Sequence, residues 1–174
     1  LMEAGQPLHA FDLGKLVGEQ INVRAAEQGE KFEAIDHREY ELQAEMCVIA
    51  DGAKSIAIAG VMGGAETEVN EQTVDVLIES ADFTAMSIRA TSRALNLHSP
   101  SSYRFERALD PAGVDWASQR CCELILEHCG GTLDTGVIEA GESTWQTEPV
   151  VLRLSQVERI LGIKIDAEEV RSIL

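Results

Sequence analysis

Basic residues are scarce in this chain: 14 lysines and arginines stand against 30 aspartates and glutamates, a formal net charge of −16 over 174 residues. Such a surface repels a phosphate backbone, which excludes extended wrapping of a nucleic acid duplex. The sequence also lacks an apolar run of about 18 residues, so no membrane-spanning helix is predicted. With 45% apolar residues it can still bury a sizeable core.

Paired metal-binding and redox motifs are missing as well. The four cysteines, Cys47, Cys121, Cys122 and Cys129, show no CxxC spacing, and three of them fall within one helical pattern. This usage is typical of reduced, buried thiols in a cytosolic protein. A zinc site formed by His128 and Cys129 is a lesser alternative, because a second ligand pair is lacking.

The sequence contains no GxSxG, HExxH, P-loop or GxGxxG motif. Serines are plentiful, but no base can be assigned to any of them. A covalent serine mechanism is therefore the lesser expectation for any hydrolytic chemistry.

The pattern of apolar residues indicates an α+β fold, with a mixed β-sheet or sandwich-like core and flanking helices. Helical spacing appears at 83–95 and at 110–129, where Asp110 is expected to cap the longer helix and Gly130 to end it. A further strand is expected at 136–140. Before the helices, six short strands are predicted, at 21–23, 32–35, 40–42, 47–50, 56–62 and 74–78.

A polar linker at 141–149 precedes a segment of different character. Residues 150–154 are expected to form a strand, Ser155 to cap a helix ending at Leu161, and Asp166 to cap a last helix. We therefore expect two domains, at 1–148 and 149–174.

Three polar positions are candidates for chemistry. His9, in a loop-like segment at 6–12, can position water or accept a proton near neutral pH, or can simply make a structural hydrogen bond. The glycines at 60–64 permit close approach of a ligand, or form a hairpin turn. Glu79 shares a strand face with Leu77, which favours a carboxylate facing a pocket over one in solvent.

A local basic segment interrupts the acidic surface. Between residues 83 and 109 the basic side chains are Arg89, Arg93, Arg104 and Arg107, and Glu106 is the only acid. Each arginine alone is most simply explained as a surface ion pair. Together they suffice for a few phosphates. The serine-rich block at 97–111 is expected to form a polar bend.

These segments together resemble a known signature. The octet GQPLHAFD at 5–12, the glycines at 60–64, Glu79 and the block LHSPSSYRFERALDP at 97–111 look like the B3/B4 domain of the bacterial phenylalanyl-tRNA synthetase β subunit. Order and spacing match over roughly the first 140 residues. The segment at 151–162 resembles the start of the B5 domain that follows in that family.

The resemblance implies an editing module, which hydrolyses tyrosine wrongly attached to tRNA(Phe), within an enzyme that aminoacylates this tRNA with ATP. His9 would place the ester or the attacking water, and Glu79 would accept the tyrosine hydroxyl. Gly63 would contribute backbone to the same pocket. A site that hydrogen-bonds a hydroxyl can favour tyrosine by about 10⁴ or more, whereas an apolar pocket rejects an added hydroxyl only about a hundredfold.

The resemblance also implies the remaining contacts of the site. Ser99 and Ser101 would line the substrate pocket, and Arg89, Arg93 and Arg104 would contact tRNA. No metal is expected here; ATP and Mg²⁺ are expected for the whole synthetase. The implied partners are the tyrosine-bearing 3′ end of tRNA(Phe) and the synthetase α subunit in an α2β2 assembly, in the cytoplasm, with neither membrane nor DNA.

The sequence departs from the family pattern at two positions. Pro100 replaces an acid common in relatives, and Ala108 replaces a glycine; either change can shift the pocket. Relatives also use a Thr-Asn pair upstream of the segment that begins here at Leu1. Two other functions remain open: a non-catalytic module that binds the tRNA end or a subunit, and a metal-dependent hydrolase using His9 and His98.

Overall fold

The computed structural model describes residues 1–141 and 149–174. Contacts between residues divide the chain into two units, Leu1–Glu139 and Ala140–Leu174. Each unit is described by itself. The two-domain prediction with its boundary at 148/149 stays a prediction.

In the first unit eight short strands precede three α-helices along the chain, and the predicted α+β class is confirmed. Its helices are α1 (Ala85–Ala94), α2 (Pro100–Phe105) and α3 (Gly113–Cys129). Its strands are β1 (Leu8–Asp12), β2 (Asn22–Ala25), β3 (Lys31–Glu33), β4 (Glu39–Glu41), β5 (Cys47–Ala50), β6 (Ser55–Ile58), β7 (Met62–Gly63) and β8 (Val76–Ser80).

The strands form three antiparallel sheets among the described residues. Four strands pair in the order β2-β5-β6-β7, while β1 pairs with β8 and β3 with β4. The strand predicted at 56–62 is divided into β6 and β7, because Gly60 adopts a φ of +67° and the Val61 amide donates to the Ile58 carbonyl in a tight turn. The glycine segment therefore does form a hairpin turn, and Gly63 ends its second strand.

Two clusters of buried apolar side chains hold this unit together. The larger one joins the β3–β4 hairpin and the central strands to α1 and α2, through residues such as Leu42, Ile58, Ile88 and Phe105. The smaller one lies around Phe11. Removing these side chains from water is the main driving force for folding.

The loop predicted at 6–12 is wrong, because residues 8–12 form β1. Alternation in this short segment is weak, so its conformation is decided by pairing with β8, where Phe11 is opposite Leu77. Gln6 reinforces this pairing. Its buried Nε2 donates to the Ala81 carbonyl at 2.7 Å, just beyond the end of β8.

The polar bend predicted at 97–111 is also wrong in part, because it contains α2. Ser99 caps this helix and accepts from the Ser102 amide at 3.0 Å, while Ser102 Oγ accepts from the Ser99 amide at 2.9 Å. Pro100 suits the first turn, where its missing N–H has no partner to lose. The serines that suggest a bend thus form a reciprocal helix cap.

The two longer helices occur where they were predicted. The first, α1, is slightly shorter than 83–95. The second, α3, begins at Gly113 with Ala112 at its N-cap position, so the predicted Asp110 cap is wrong. Asp110 instead accepts from the Ala112 amide at 3.0 Å in the turn before the helix. Gly130 ends α3 with a φ of +72°, as expected for a residue without Cβ.

The strand predicted at 136–140 is not formed, since that segment is irregular. A β-strand needs a partner strand to be stable, and no described strand pairs with this segment. Most of the predicted linker, residues 142–148, lies outside the described residues.

The second unit contains two helices, α4 (Leu154–Leu161) and α5 (Ala167–Ile173). The strand predicted at 150–154 is wrong, and so is the Ser155 cap, because α4 begins one residue earlier. Gly162 ends α4 in the left-handed region, and Asp166 caps α5 by accepting from the Glu168 amide at 3.1 Å; both confirm the prediction.

Candidate functional site

Pairing of β1 with β8 brings His9 directly opposite Glu79. Residues opposite each other in an antiparallel pair project to the same face, with Cβ atoms about 5 Å apart. An imidazole and a carboxyl group that are remote in sequence therefore share one surface of this two-stranded sheet.

This surface forms one side of a cavity of about 60 Å³. The β6–β7 hairpin contributes Gly60, Val61, Met62 and Gly63, and the central sheet contributes apolar side chains. Helix α2 adds Ser101 and Phe105. Most lining residues are apolar, but polar and apolar atoms contribute about equally to the cavity surface. His9, Glu79 and Ser101 supply its ionisable and hydroxyl groups, and a few convergent polar groups among apolar residues are a common feature of small-molecule sites.

His9 is held tightly in this cavity. Its ring packs edge-on against Phe11 at a centroid distance of 4.5 Å, and it lies so close to Gly63 that a Cβ there would approach Cε1 to 2.3 Å. Nε2 is buried without a hydrogen-bond partner among the described residues. Burial lowers the pKa of His9 while the Glu68 charge raises it, and the first effect is larger. The imidazole is therefore neutral at pH 7 and can accept a proton.

Glu79 is partly buried, and burial raises the pKa of its carboxyl group to about 7. Among the residues that the structure describes, no neighbouring cation offsets this desolvation. The carboxyl group therefore changes between proton donor and charged acceptor near neutral pH. Such a shift inside a cavity is a common feature of functional carboxylates.

The two predicted pocket serines occupy different places. Ser101 lines the cavity, whereas Ser99 is not a lining residue and its Oγ donates to the Val61 carbonyl at 2.6 Å. The structure thus brings together His9, Gly63, Glu79 and Ser101. Ser99 touches the hairpin that carries Gly63.

The predicted tRNA-binding arginines lie on two helices that pack against each other. Arg89 and Arg93 are exposed on α1. Arg104, on α2, is half-buried and donates to the Pro100 carbonyl at 3.0 Å. Arg107, close by, pairs with Glu106 and stacks on the Tyr103 ring at 3.6 Å. Arg89, Arg93 and Arg104 therefore remain predicted contacts for tRNA.

Within the described ranges, no three His, Cys, Asp or Glu side chains are grouped as a metal site. His98 is exposed, with its Nδ1 3.0 Å from Ser92 Oγ. All four cysteines are free; Cys47, Cys121 and Cys122 are only partly buried and Cys129 is exposed, so the prediction of buried thiols is wrong. No helix in the described part of the chain is both long and apolar enough to cross a membrane.

Sequence reasoning did not single out several lining residues, among them Met62 and Phe105. Phe105 follows Ser101 by four residues, so both face the same side of α2. Recognising Ser99-Pro100 as a helix start would have predicted this. Met62 has no comparable signal, because the position of the turn at Gly60 decides which side chains of the hairpin face the cavity.

The α+β unit with this cavity matches a described domain family. Residues 1–130 match the model of the B3/4 domain, and the chain belongs to that family.

The relatives of the chain narrow the class to one kind of subunit. It is 50% identical over all 174 residues to part of the phenylalanine–tRNA ligase β subunit of Rhodopirellula baltica, covering 26% of that protein. The β subunits of Bacillus cereus and Carboxydothermus hydrogenoformans are 47% and 44% identical over 97% and 100% of the chain, which covers 21% and 22% of their lengths. The chain thus spans about a quarter or less of these relatives.

Proposed function

We propose that this chain is the editing module of a phenylalanine–tRNA ligase β subunit, and that it hydrolyses the ester of tyrosine mistakenly attached to tRNA(Phe). The observation that supports this most strongly is the pairing of His9 with Glu79 at one small cavity. Relatives that are phenylalanine–tRNA ligase β subunits support this substrate class.

In this proposal Glu79 recognises the phenol and His9 assists the attack of water. The charged Glu79 carboxylate accepts the tyrosine hydroxyl, a hydrogen bond that phenylalanine cannot offer. Neutral His9 holds or deprotonates the water near the ester carbonyl. Positioning contributes much of the rate, because an aminoacyl ester is already reactive.

The remaining partners follow from the same assignment. Arg89, Arg93 and Arg104 contact phosphates of the single-stranded 3′ end, while the acidic remainder of the surface excludes longer stretches of RNA. The synthetase α subunit, in an α2β2 assembly in the cytoplasm, supplies the mischarged tRNA. ATP and Mg²⁺ are assigned to aminoacylation by the whole synthetase, because that step consumes ATP.

The test is deacylation by the assembled synthetase containing this chain, with tyrosyl-tRNA(Phe) and phenylalanyl-tRNA(Phe) as substrates. We expect tyrosine to be released faster, with Glu79→Ala reducing the preference and His9→Ala slowing release of tyrosine. Equal rates for the two esters contradict the pocket assignment. Binding of tRNA without turnover supports a non-catalytic module, and sensitivity to chelators supports a metal-dependent hydrolase.

A further inference from the structure

The hydroxyl group of Ser99 is already committed to contacts within the protein. Its single proton is donated to the Val61 carbonyl at 2.6 Å, and its oxygen accepts from the Ser102 amide at 3.0 Å. A serine hydroxyl has one proton to give, so Ser99 has none left for a ligand. Ser99 is also not part of the cavity lining.

The two elements joined by this hydroxyl form different walls of the cavity. Helix α2 presents Ser101 and Phe105, while the β6–β7 hairpin presents residues 60–63. Val61 is buried at the turn of the hairpin. The bond from Ser99 to Val61 therefore fixes the distance between the helix wall and the hairpin wall.

The hairpin wall is also coupled to the histidine. A Cβ on Gly63 would lie 2.3 Å from Cε1 and 2.5 Å from Nε2 of His9, so the imidazole rests directly against this backbone. Any shift of the hairpin that follows loss of the Ser99 bond must therefore move His9 or open a gap beside it. Packed interiors transmit such displacements, because they contain few voids.

Because the cavity is small, a small change in the distance between its walls affects whether a phenol ring fits. Its volume of about 60 Å³ is well below the roughly 150 Å³ of a cavity that binds benzene. A phenol ring must therefore enter by small adjustments of the walls. A displacement of about 1 Å in such a site can cost on the order of a hundredfold in rate.

We propose that Ser99 is a positioning residue: it holds α2 against the β6–β7 hairpin and so sets the geometry in which tyrosine is distinguished from phenylalanine. This inference rests on the proposed function. Ser99 acts through Val61 and does not touch the substrate.

The experiment compares Ser99→Ala and Ser99→Thr in the assembled synthetase. Threonine keeps a capping hydroxyl and tolerates the extended backbone of Ser99, at φ −127° and ψ 163°. We expect Ser99→Ala to lower kcat/KM for tyrosyl-tRNA(Phe) by about tenfold, the equivalent of one hydrogen bond, and to reduce the tyrosine preference. Ser99→Thr should restore both kcat/KM and the tyrosine preference.

The matched control is Ser87→Ala, at a serine on α1 outside the cavity lining. This variant should match the parent.

A second readout does not depend on catalysis. Hydrogen exchange measured by mass spectrometry on the same assembled proteins should show faster exchange of the hairpin amides at 59–64 in Ser99→Ala, with parent-like exchange in Ser99→Thr. Unchanged exchange and an unchanged tyrosine preference in Ser99→Ala would overturn the positioning role.

These measurements distinguish failure of the proposed editing function from failure of the inference about Ser99. If the parent synthetase hydrolyses neither ester, the editing function fails, and the exchange of the hairpin amides still decides whether Ser99 holds the hairpin. If the parent edits tyrosine while Ser99→Ala edits equally well with the same preference, the inference about Ser99 fails and the editing function stands.

Discussion

At the scale of single residues, the contact between Gly63 and the His9 ring is the tightest feature of the site. Any side chain at residue 63 meets the imidazole. We expect Gly63→Ala to destabilise the chain by about 1–3 kcal/mol, because overpacking forces the ring or the strand to move. Urea unfolding measures this change.

The double variant His9→Ala/Gly63→Ala is the matched control, since removing the ring opens space for the new methyl group. Its free energy of unfolding should exceed the value obtained by adding the two single changes. A double variant whose change in the free energy of unfolding equals the sum of the two single changes would contradict the contact.

Glu79 gives a prediction about pH. Its carboxyl pKa is about 7 in the folded chain, against an ordinary value of 4.5, so the folded state binds the proton more tightly than the unfolded state does. The protonated Glu79 carboxyl group therefore contributes its full stabilisation of the folded state below about pH 4.5. This contribution, at most about 3 kcal/mol, is lost as pH rises to about 7. Denaturant unfolding across this window should show the loss in the parent and not in Glu79→Gln. Parallel pH profiles would contradict the buried carboxyl group.

The sequence was enough to select His9 and Glu79 as candidate site residues, but not to predict that they lie side by side. His9 and Glu79 were identified from a local motif and from strand alternation. Their position opposite each other depends on pairing of two remote strands, one of which has too weak a pattern to be recognised as a strand. Ser99 was recognised as part of the site, but a list of residue types does not show that its hydroxyl is directed at Val61.

At the scale of secondary-structure elements, Gln6 controls how β1 meets β8. It is buried and connects the start of one strand to the end of the other through the Ala81 carbonyl. We expect Gln6→Ala to cost about 1–3 kcal/mol, because that carbonyl loses its partner. Urea unfolding gives the magnitude, and hydrogen exchange should increase at 76–80.

Exposed Gln43 offers the matched control for this change. Gln43→Ala should alter the free energy of unfolding by less than about 0.5 kcal/mol. Equal effects of the two substitutions would mean that Gln6 does not hold the strand pair.

Helix and strand predictions failed at different positions in this chain, for different physical reasons. The end of α3 at Gly130 and the cap of α5 at Asp166 are local signals, written in one or two residues. Strands need partners: 136–140 and 150–154 carry β-like residues but do not form strands. By contrast, α2 was not predicted within the polar block at 97–111. The block was interpreted from its serine content, and the capping positions of these serines were not considered.

At the scale of the whole molecule, the net charge of −16 limits how tRNA can bind. Under the proposed function, only a short single-stranded end near the arginines of α1 and α2 avoids strong repulsion. We expect replacement of Arg89, Arg93 or Arg104 by alanine to weaken tRNA binding by the assembled synthetase. Each change should reduce the slope of log affinity against log salt by about 0.7. Filter binding at several salt concentrations measures this slope.

Arg38, an exposed arginine outside this helical region, is the control. Arg38→Ala should leave the slope unchanged. If replacing Arg89, Arg93 or Arg104 also leaves the slope unchanged, tRNA binds at another part of the surface.

The most direct test of the account is a structure of the assembled synthetase with a non-hydrolysable tyrosyl-adenosine analogue. The account predicts that the phenolic oxygen lies about 2.5–2.7 Å from a Glu79 carboxylate oxygen, with the ester mimic on the side of His9. A phenol bound elsewhere, with Glu79 facing only solvent or protein, would contradict it.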